Sequence, residues 1–424
     1  MNSIETKRGT SKKTININYV IFYDSIYPCT PWMNSISLFN KENYNVKVYQ
    51  RKYFGYNYNE ELTSIKFKVI SSYNLRIFYQ LFYQTARAFK IFEKIGLKKL
   101  STFGSTLNYM YTSLMFIITM YTKFRSLKDK EIFIAGDPVS LLGSYLVAGK
   151  KHVLLYWPLE LWVYKDLKLP EYKLFKKIEK KYHKYAAGTL EFGNLRREIL
   201  AKENDIHVSS IQIIPNSPIG EPEPARNFYF NELFGIPAEK KIILYAGGIA
   251  NFNGIPQLID SLNKMPNNFA LVLHSKQEIK KKNLEKLLEK IKPFNAYISS
   301  DPLPFDKINL IYSSCDVGLM LMMPDNDNWD TNYIYADWSP GKLFNYFKFG
   351  VPVITTNLKG YKELIEGNGA GKVVENIEQV FSKAEEIMLN ENDYRQNSIK
   401  LFNKLKFEKY HNAFFEDIIN KNYN

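Results

Sequence analysis

The sequence predicts an α/β protein of two αβα domains facing each other across a cleft. Residues 1–222 form the first domain, 223–409 the second, and 410–424 a helix crossing back to the first. Three observations carry this reading. Short apolar runs alternate with helical patterns twice along the chain. A proline-rich break, from Pro215-Asn216-Ser217-Pro218 to the prolines at 222 and 224, separates the two arrays. At 424 residues the chain is long enough for two substantial cores.

In the first array, residues 15–23 read as a buried strand, 24–32 as a loop with two prolines, 33–41 as a helix, and 46–49 and 65–70 as strands. Residues 75–100 predict a long aromatic helix on which Arg87, Lys90, Lys94 and Lys98 recur at spacings of three and four. Such a basic stripe fits either a solvated face or a surface lying on acidic lipid headgroups. The most apolar stretch, 107–121, is shorter than the roughly 20 residues of a membrane span and reads as a buried or membrane-apposed helix. Strands follow at 131–135, 152–156, 190–194 (with its turn) and 211–214, and helices at 139–148, 172–185 and 195–203. Ligands bind at the carboxyl ends of parallel strands, so Glu160, just after the 152–156 strand, is placed to position an acceptor or act as a base. A capping carboxylate is the structural alternative. His183 and His207 lack partners at useful spacing and read as satisfied histidines.

The second array opens with the strand KIILYA at 241–246, then Gly247-Gly248, and Asn253-Gly254 before a helix to 262. A strand, glycine turn and helix bring backbone N–H groups close to a diphosphate. Strands at 269–273, 296–298 and 317–322 and helices at 278–291 and 308–314 continue the pattern. Asp325 and Asp327, with Asp330, lie in a polar loop that reads better as a contact for ligand hydroxyls beside the cleft than as a metal site. Residues 336–357, ADWSPGKLFNYFKFGVPVITTN, carry the most information. Ser339-Pro340-Gly341 is a tight turn, 342–349 a helix closed by Gly350, and 351–355 a buried strand. Lys342 sits in the first helical turn, where a cation opposes the helix dipole unless an anion binds there. The arrangement suits a phosphate. Helices at 377–389 and 391–409 close the array.

This segment resembles the donor-site signature of GT-B glycosyltransferases, specifically the retaining family-4-like group (glycosyl transferases group 1). Pro340, Lys342, Leu343, Tyr346, Gly350, Pro352, Val353 and Ile354 match its Pro-x-Lys-Leu-x-Glu-Tyr…Gly-x-Pro-Val-Ile run. The group's two acidic residues, separated by seven, correspond to Asp337 and Asn345. Tyr156 and Glu160 match a Tyr-Asp-x-His-Glu motif in which Trp157 and Leu159 replace Asp and His. The resemblance implies a GT-B fold of two Rossmann-like domains, with the acceptor on the first and a nucleotide diphosphate sugar, as co-substrate, on the second. It implies that Lys342 and the N–H groups of Gly341 and Gly248 stabilise the leaving diphosphate. Asp337 would hold donor-sugar hydroxyls, Asn345 the ribose and Leu303 the nucleobase, with Gly247, Asn253 and Ser339 completing the donor site. It further implies retention of anomeric configuration, with no cofactor and no metal. Ile249 and Asn253 stand where the group carries a phosphate-binding Arg and Lys.

Charge narrows the partners. Residues 1–224 hold 33 Lys and Arg against 19 Asp and Glu, so the whole net charge of +14 lies there and the remainder is neutral. An anionic partner for the first domain follows: a polyprenyl-diphosphate-linked or other glycan acceptor, and an anionic membrane surface. Nucleic acid is disfavoured by the neutral second half. Cys29 and Cys315 form neither metal spacing nor a disulfide framework and fit a reducing cytoplasm. The first residues are polar and basic, unlike a signal peptide. The expectation is a cytoplasmic enzyme held peripherally at the inner face of the plasma membrane and building bacterial surface polysaccharide. The alternatives are a nucleotide-sugar epimerase on the same scaffold and an inactive, non-catalytic member of the fold.

Overall fold

The computed structural model describes residues 15–22, 29–42, 44–51, 68–71, 98–249, 253–275, 281–300, 307–323 and 330–423. The expected basic stripe at Arg87, Lys90 and Lys94, and Leu303, Asp325 and Asp327, lie outside them.

Among the described residues, seven strands make the first sheet: β1 (Asn16–Ile21), β2 (Asn45–Gln50), β3 (Lys68–Ser71), β4 (Ile132–Ala135), β5 (Val153–Tyr156), β6 (Gly188–Glu191) and β7 (Ile211–Ile213). Their order is 3-2-1-4-5-6-7. Six make the second: β8 (Lys241–Ala246), β9 (Phe269–His274), β10 (Ala296–Ser299), β11 (Val317–Met320), β12 (Val353–Thr356) and β13 (Gly371–Val374), in the order 10-9-8-11-12-13. All the pairings are parallel. Helices cover both faces, so central strands such as β4 and β8 are buried on both sides and read as continuous apolar runs.

Two sequence expectations need correction. The segment 24–32 does not remain a loop to its end: a helix starts at Thr30 with Pro31 in its first turn, where the missing N–H costs nothing. The helix expected over 391–409 is two helices, Glu391–Lys404 and Phe407–Tyr423. The break at Leu405 and Lys406 turns the second one onto the first domain. There Phe415 packs edge-on against Phe39 at 4.9 Å and Phe407 stacks on Trp157 at 6.3 Å. The Tyr19 hydroxyl donates to Ser35 Oγ at 2.5 Å, and Ser35 lies 2.7 Å from His411 Nε2. Burial pushes the His411 pKa down to about 4, so the ring is neutral at pH 7 and Nε2 accepts from Ser35.

A buried polar network braces the first domain beneath β5. Lys176 donates to Glu179 at 2.9 Å and to Asn204 Oδ1 at 2.8 Å, and the Tyr156 hydroxyl donates to Glu179 at 3.0 Å. The Asn204 amide donates to Glu179 at 3.0 Å and to His183 Nδ1 at 2.8 Å; His183 Nε2 then meets Thr189 at 2.8 Å. Burial, aided by Lys176, pushes the His183 pKa down to about 3, so it stays neutral within the network. Replacing Lys176 by Met strands the Glu179 charge in the interior. The expected loss is about 3–5 kcal/mol of unfolding free energy, measured by urea denaturation; an unchanged midpoint contradicts the network.

Candidate functional site

Strand order reverses beside β1 and β4 in one sheet and beside β8 and β11 in the other, and open α/β sheets bind ligands at the carboxyl ends of strands there. Between the two domains lies a cavity of about 260 Å³. Ile21, Gly136, Asp137, Leu159, Glu160 and Trp162 line it from the first domain, and Met322, Asn332, Tyr333, Ser339 and Pro340 from the second. Gly136 is required: a Cβ there would fall 2.6 Å from the Trp32 ring. The Asp137 carboxylate is committed to structure, accepting from Phe22 N–H at 2.7 Å, Ser140 N–H at 2.9 Å and the Ser140 hydroxyl at 2.7 Å. Glu160 is exposed at the cavity wall.

A second cluster forms at the end of β8. The helix Gly341–Lys348 starts after Pro340, and Lys342 Nζ reaches over the Tyr245 ring at 4.7 Å from its centroid. A Cβ on Gly247 would come within 2.9 Å of that Nζ, so glycine lets the cation approach the turn. Gly248 is exposed and faces open space on its Cβ side. Asn253 is buried; its amide donates to the Tyr245 hydroxyl at 2.5 Å and to the Gly248 carbonyl, which the Tyr245 hydroxyl also reaches at 3.0 Å. Two neutral side chains therefore hold the turn where the resemblance implies cations. Ile249 is half-buried and packs on the apolar core. Asn345 is half-buried beside the Tyr312 hydroxyl.

Asp337 lies at the junction of the domains. Its backbone is left-handed, φ 49°, which Asp tolerates better than most residues. Its Oδ2 accepts from Leu195 N–H at 2.8 Å, at the start of helix Asn194–Asn204. That helix has Gly193 before it and no side-chain cap of its own, so a carboxylate of the other domain satisfies its first turn. Burial pushes the Asp337 pKa up from 3.8 to about 6; the Leu195 N–H and Arg196 oppose the shift, and Glu191 and Glu198 add to it. Nearby, Asn332 pairs with the Leu161 backbone, accepting at 2.7 Å and donating at 3.2 Å, and also accepts from Arg196 at 2.9 Å. Arg196 is buried and paired with Glu191 at 2.8 Å. Thr331 donates to Asp166 at 2.6 Å, and Asn216 donates to the Trp338 and Ser339 carbonyls at 3.2 and 2.7 Å.

Lys342, Gly247, Gly248 and Asn253 are thus brought to one turn, and Glu160 and Ser339 to one cavity. Gly341 opens the helix between the two places. Asp337 lines neither; in this conformation its carboxylate faces the first domain. Sequence reasoning misses Asn332, Tyr245 and the role of Arg196. Tyr245 leaves a faint signal, a polar tip ending an apolar strand; Asn332 leaves none.

No protein-family model matches the chain, and no curated protein matches it by sequence. Solved structures do. Sucrose-phosphate synthase from Thermosynechococcus elongatus is 12% identical, with 96% of this chain and 98% of that one covered and a TM-score of 0.65. Anabaena HepE in complex with UDP-glucose is 9% identical, with 95% and 99% covered and a TM-score of 0.62. The lipopolysaccharide outer core galactosyltransferase WaaB is 13% identical, with 95% and 100% covered and a TM-score of 0.53. These likenesses show the fold: two facing Rossmann-like domains, the GT-B architecture.

Two tests follow from the junction. A Cβ on Gly193 would fall 2.2 Å from Asp337 Oδ2, while its backbone, φ −161°, suits any residue. Gly193→Ala is therefore expected to push the Asp337 carboxylate off the Leu195 N–H without backbone strain of its own, read as a lower Tm in thermal denaturation. The folded Asp337 keeps its proton to about pH 6, the unfolded one only to about 3.8, so its contribution to stability is full below that range and is lost as pH rises through 6. Asp337→Asn is expected to flatten the dependence of Tm on pH across that window.

Proposed function

We propose that this protein is a glycosyltransferase that moves a sugar from a nucleoside diphosphate sugar to a hydroxyl of a glycan or lipid-linked acceptor. The observation that carries the proposal is the meeting of Lys342, Gly247 and exposed Gly248 at the end of β8. A cation and backbone N–H groups at a helix start and a glycine turn suit the charge that develops on a departing diphosphate. In this reading the site works without a metal and retains anomeric configuration, Asn345 meets the ribose, and Asp337 turns to the donor sugar when the domains part. Glu160, on the opposite wall, orients the acceptor hydroxyl or takes its proton.

The fold neighbours support the substrate class: HepE is seen with UDP-glucose, and WaaB is described as acting on lipopolysaccharide outer core. With the basic first half, they support a role in bacterial surface polysaccharide synthesis, an acceptor on a polyprenyl diphosphate or similar anionic lipid, and a cytoplasmic enzyme held at the inner membrane face. An epimerase needs paired acid and base groups in the cavity. Of the two carboxylates that line it among the described residues, Asp137 is committed to Phe22 and Ser140, which favours transfer over isomerisation.

Thermal shift with a panel of nucleotides, with and without Mg²⁺, tests the donor site. A nucleotide diphosphate at about 100 times its Kd should add ~2.7 kcal/mol of stability whether or not metal is present. Lys342→Ala is expected to lower kcat by about 10²–10³-fold in a sugar-transfer assay; unchanged turnover removes the role assigned to Lys342.

A further inference from the structure

The helix Lys98–Phe124 is apolar on the side where a helix of a water-soluble domain is normally polar. One side goes into the core through Phe116, Met120 and Phe124. On the other, Phe103, Leu107, Met110, Leu114, Ile118 and Tyr121 are each 40–58% exposed. Their spacings of four, three, four, four and three keep them on a single stripe, roughly 27 Å long at ~1.5 Å rise per residue. Scattered exposed apolar residues are ordinary; six in register along five turns are not.

Charge identifies what covers the stripe. The helix contains no carboxylate. From Lys98 to Lys130 the sequence holds Lys98, Lys99, Lys123, Arg125, Lys128 and Lys130 against Asp129 alone. Of these, Arg125 and Lys128 are exposed just beyond the C-terminal end of the stripe, while Lys123 lies over the Tyr49 ring and Lys130 donates to the Asn422 carbonyl. Between Phe103 and Tyr121 the sequence holds no charged residue. The neighbouring helix Pro170–Tyr182, held by Thr106 donating to Glu171 at 2.7 Å, adds exposed Lys177 and Lys181. A second copy of this chain on the stripe would bring two such basic surfaces together, whereas an anionic bilayer neutralises them. Among the described residues no helix is long and apolar enough to cross a membrane.

We infer that this stripe is a docking surface for an anionic lipid bilayer. The helix lies in the plane of the interface, with the six apolar side chains among the acyl chains and exposed Arg125 and Lys128 at the headgroups. The inference rests on the membrane part of the function proposed above and is independent of its sugar chemistry. It places attachment on Lys98–Phe124, next to the expected basic stripe.

The test is flotation of the full-length protein with vesicles of phosphatidylcholine alone or mixed with phosphatidylglycerol. Binding to the mixed vesicles is expected, at least about tenfold weaker without phosphatidylglycerol, and weakening with salt. Leu114→Glu with Ile118→Glu, both at exposed positions, should lower binding about tenfold or more, while Tm and the nucleotide-induced thermal shift stay as in the wild type. Arg125→Glu with Lys128→Glu should remove most of the salt dependence. Three results overturn the inference: no binding of the wild type to mixed vesicles, undiminished binding of the Leu114/Ile118 variant, or a lipid-free dimer that this variant dissolves, which makes the stripe a contact between copies. Nucleotide shifts measured on the same samples keep a failure of membrane docking distinct from a failure of the donor site.

Discussion

The two-point pairing of the Asn332 amide with the Leu161 backbone is the contact on which the arrangement of the two domains depends. A side-chain amide presents one acceptor and one donor with the geometry of a peptide, so it joins the other domain as a strand would. Arg196 donates to the same Asn332 oxygen and is itself held by Glu191, so the joint is anchored in the first domain by a buried ion pair. Burying the pair is costly, and the Asn332 oxygen and the Leu159 carbonyl, 3.4 Å from the guanidinium, offset part of that by accepting two further donors. The cavity, the capping of Leu195 by Asp337 and the position of Ser339 follow from where this joint sets the 330–340 segment.

That segment has two demands on it. It closes against the first domain, and it leads directly into the helix that carries Lys342. Pro340 faces the cavity while Lys342, two residues on, reaches the β8 turn. Any change in the junction is therefore felt at the cation within half a helical turn. The neutral holding of the β8 turn by Tyr245 and Asn253 concentrates the positive charge of this cluster in Lys342 and in backbone dipoles, which have fixed positions and need no reorganisation.

Much of this architecture is legible in the sequence, for local reasons. Central parallel strands must be apolar on both faces, and so KIILYA and FALVLH announce themselves. The glycine turn and Lys342 are readable because their chemistry is carried by backbone conformation and one misplaced charge. The start of the first helix is not, because Pro31 serves equally in a loop or in a first helical turn. The break at Leu405 is not, because the apolar spacing runs through it and only the surface of the first domain decides where the chain bends. Asn332 and Leu161 are 171 residues apart, and no spacing rule connects a polar residue in the short helix Asp330–Ile334 to a backbone amide in a distant loop. The apolar outer side of Lys98–Phe124 is half legible: composition shows an apolar helix, but only packing shows which of its residues stay outside.

The last helix bears on how the molecule is made. Phe407, His411 and Phe415 fill the first domain's core against Trp157, Ser35 and Phe39, yet they follow the strands of the second domain in the chain. During synthesis the first sheet leaves the ribosome long before these side chains do, and until then it presents an uncovered apolar face beside Trp32 and Phe39. The second domain takes its last core residues from Leu401, Phe402 and Leu405, just before the final helix begins. Of the two, the domain synthesised second is the one able to complete its core first, and the earlier one spends the interval needing protection from aggregation.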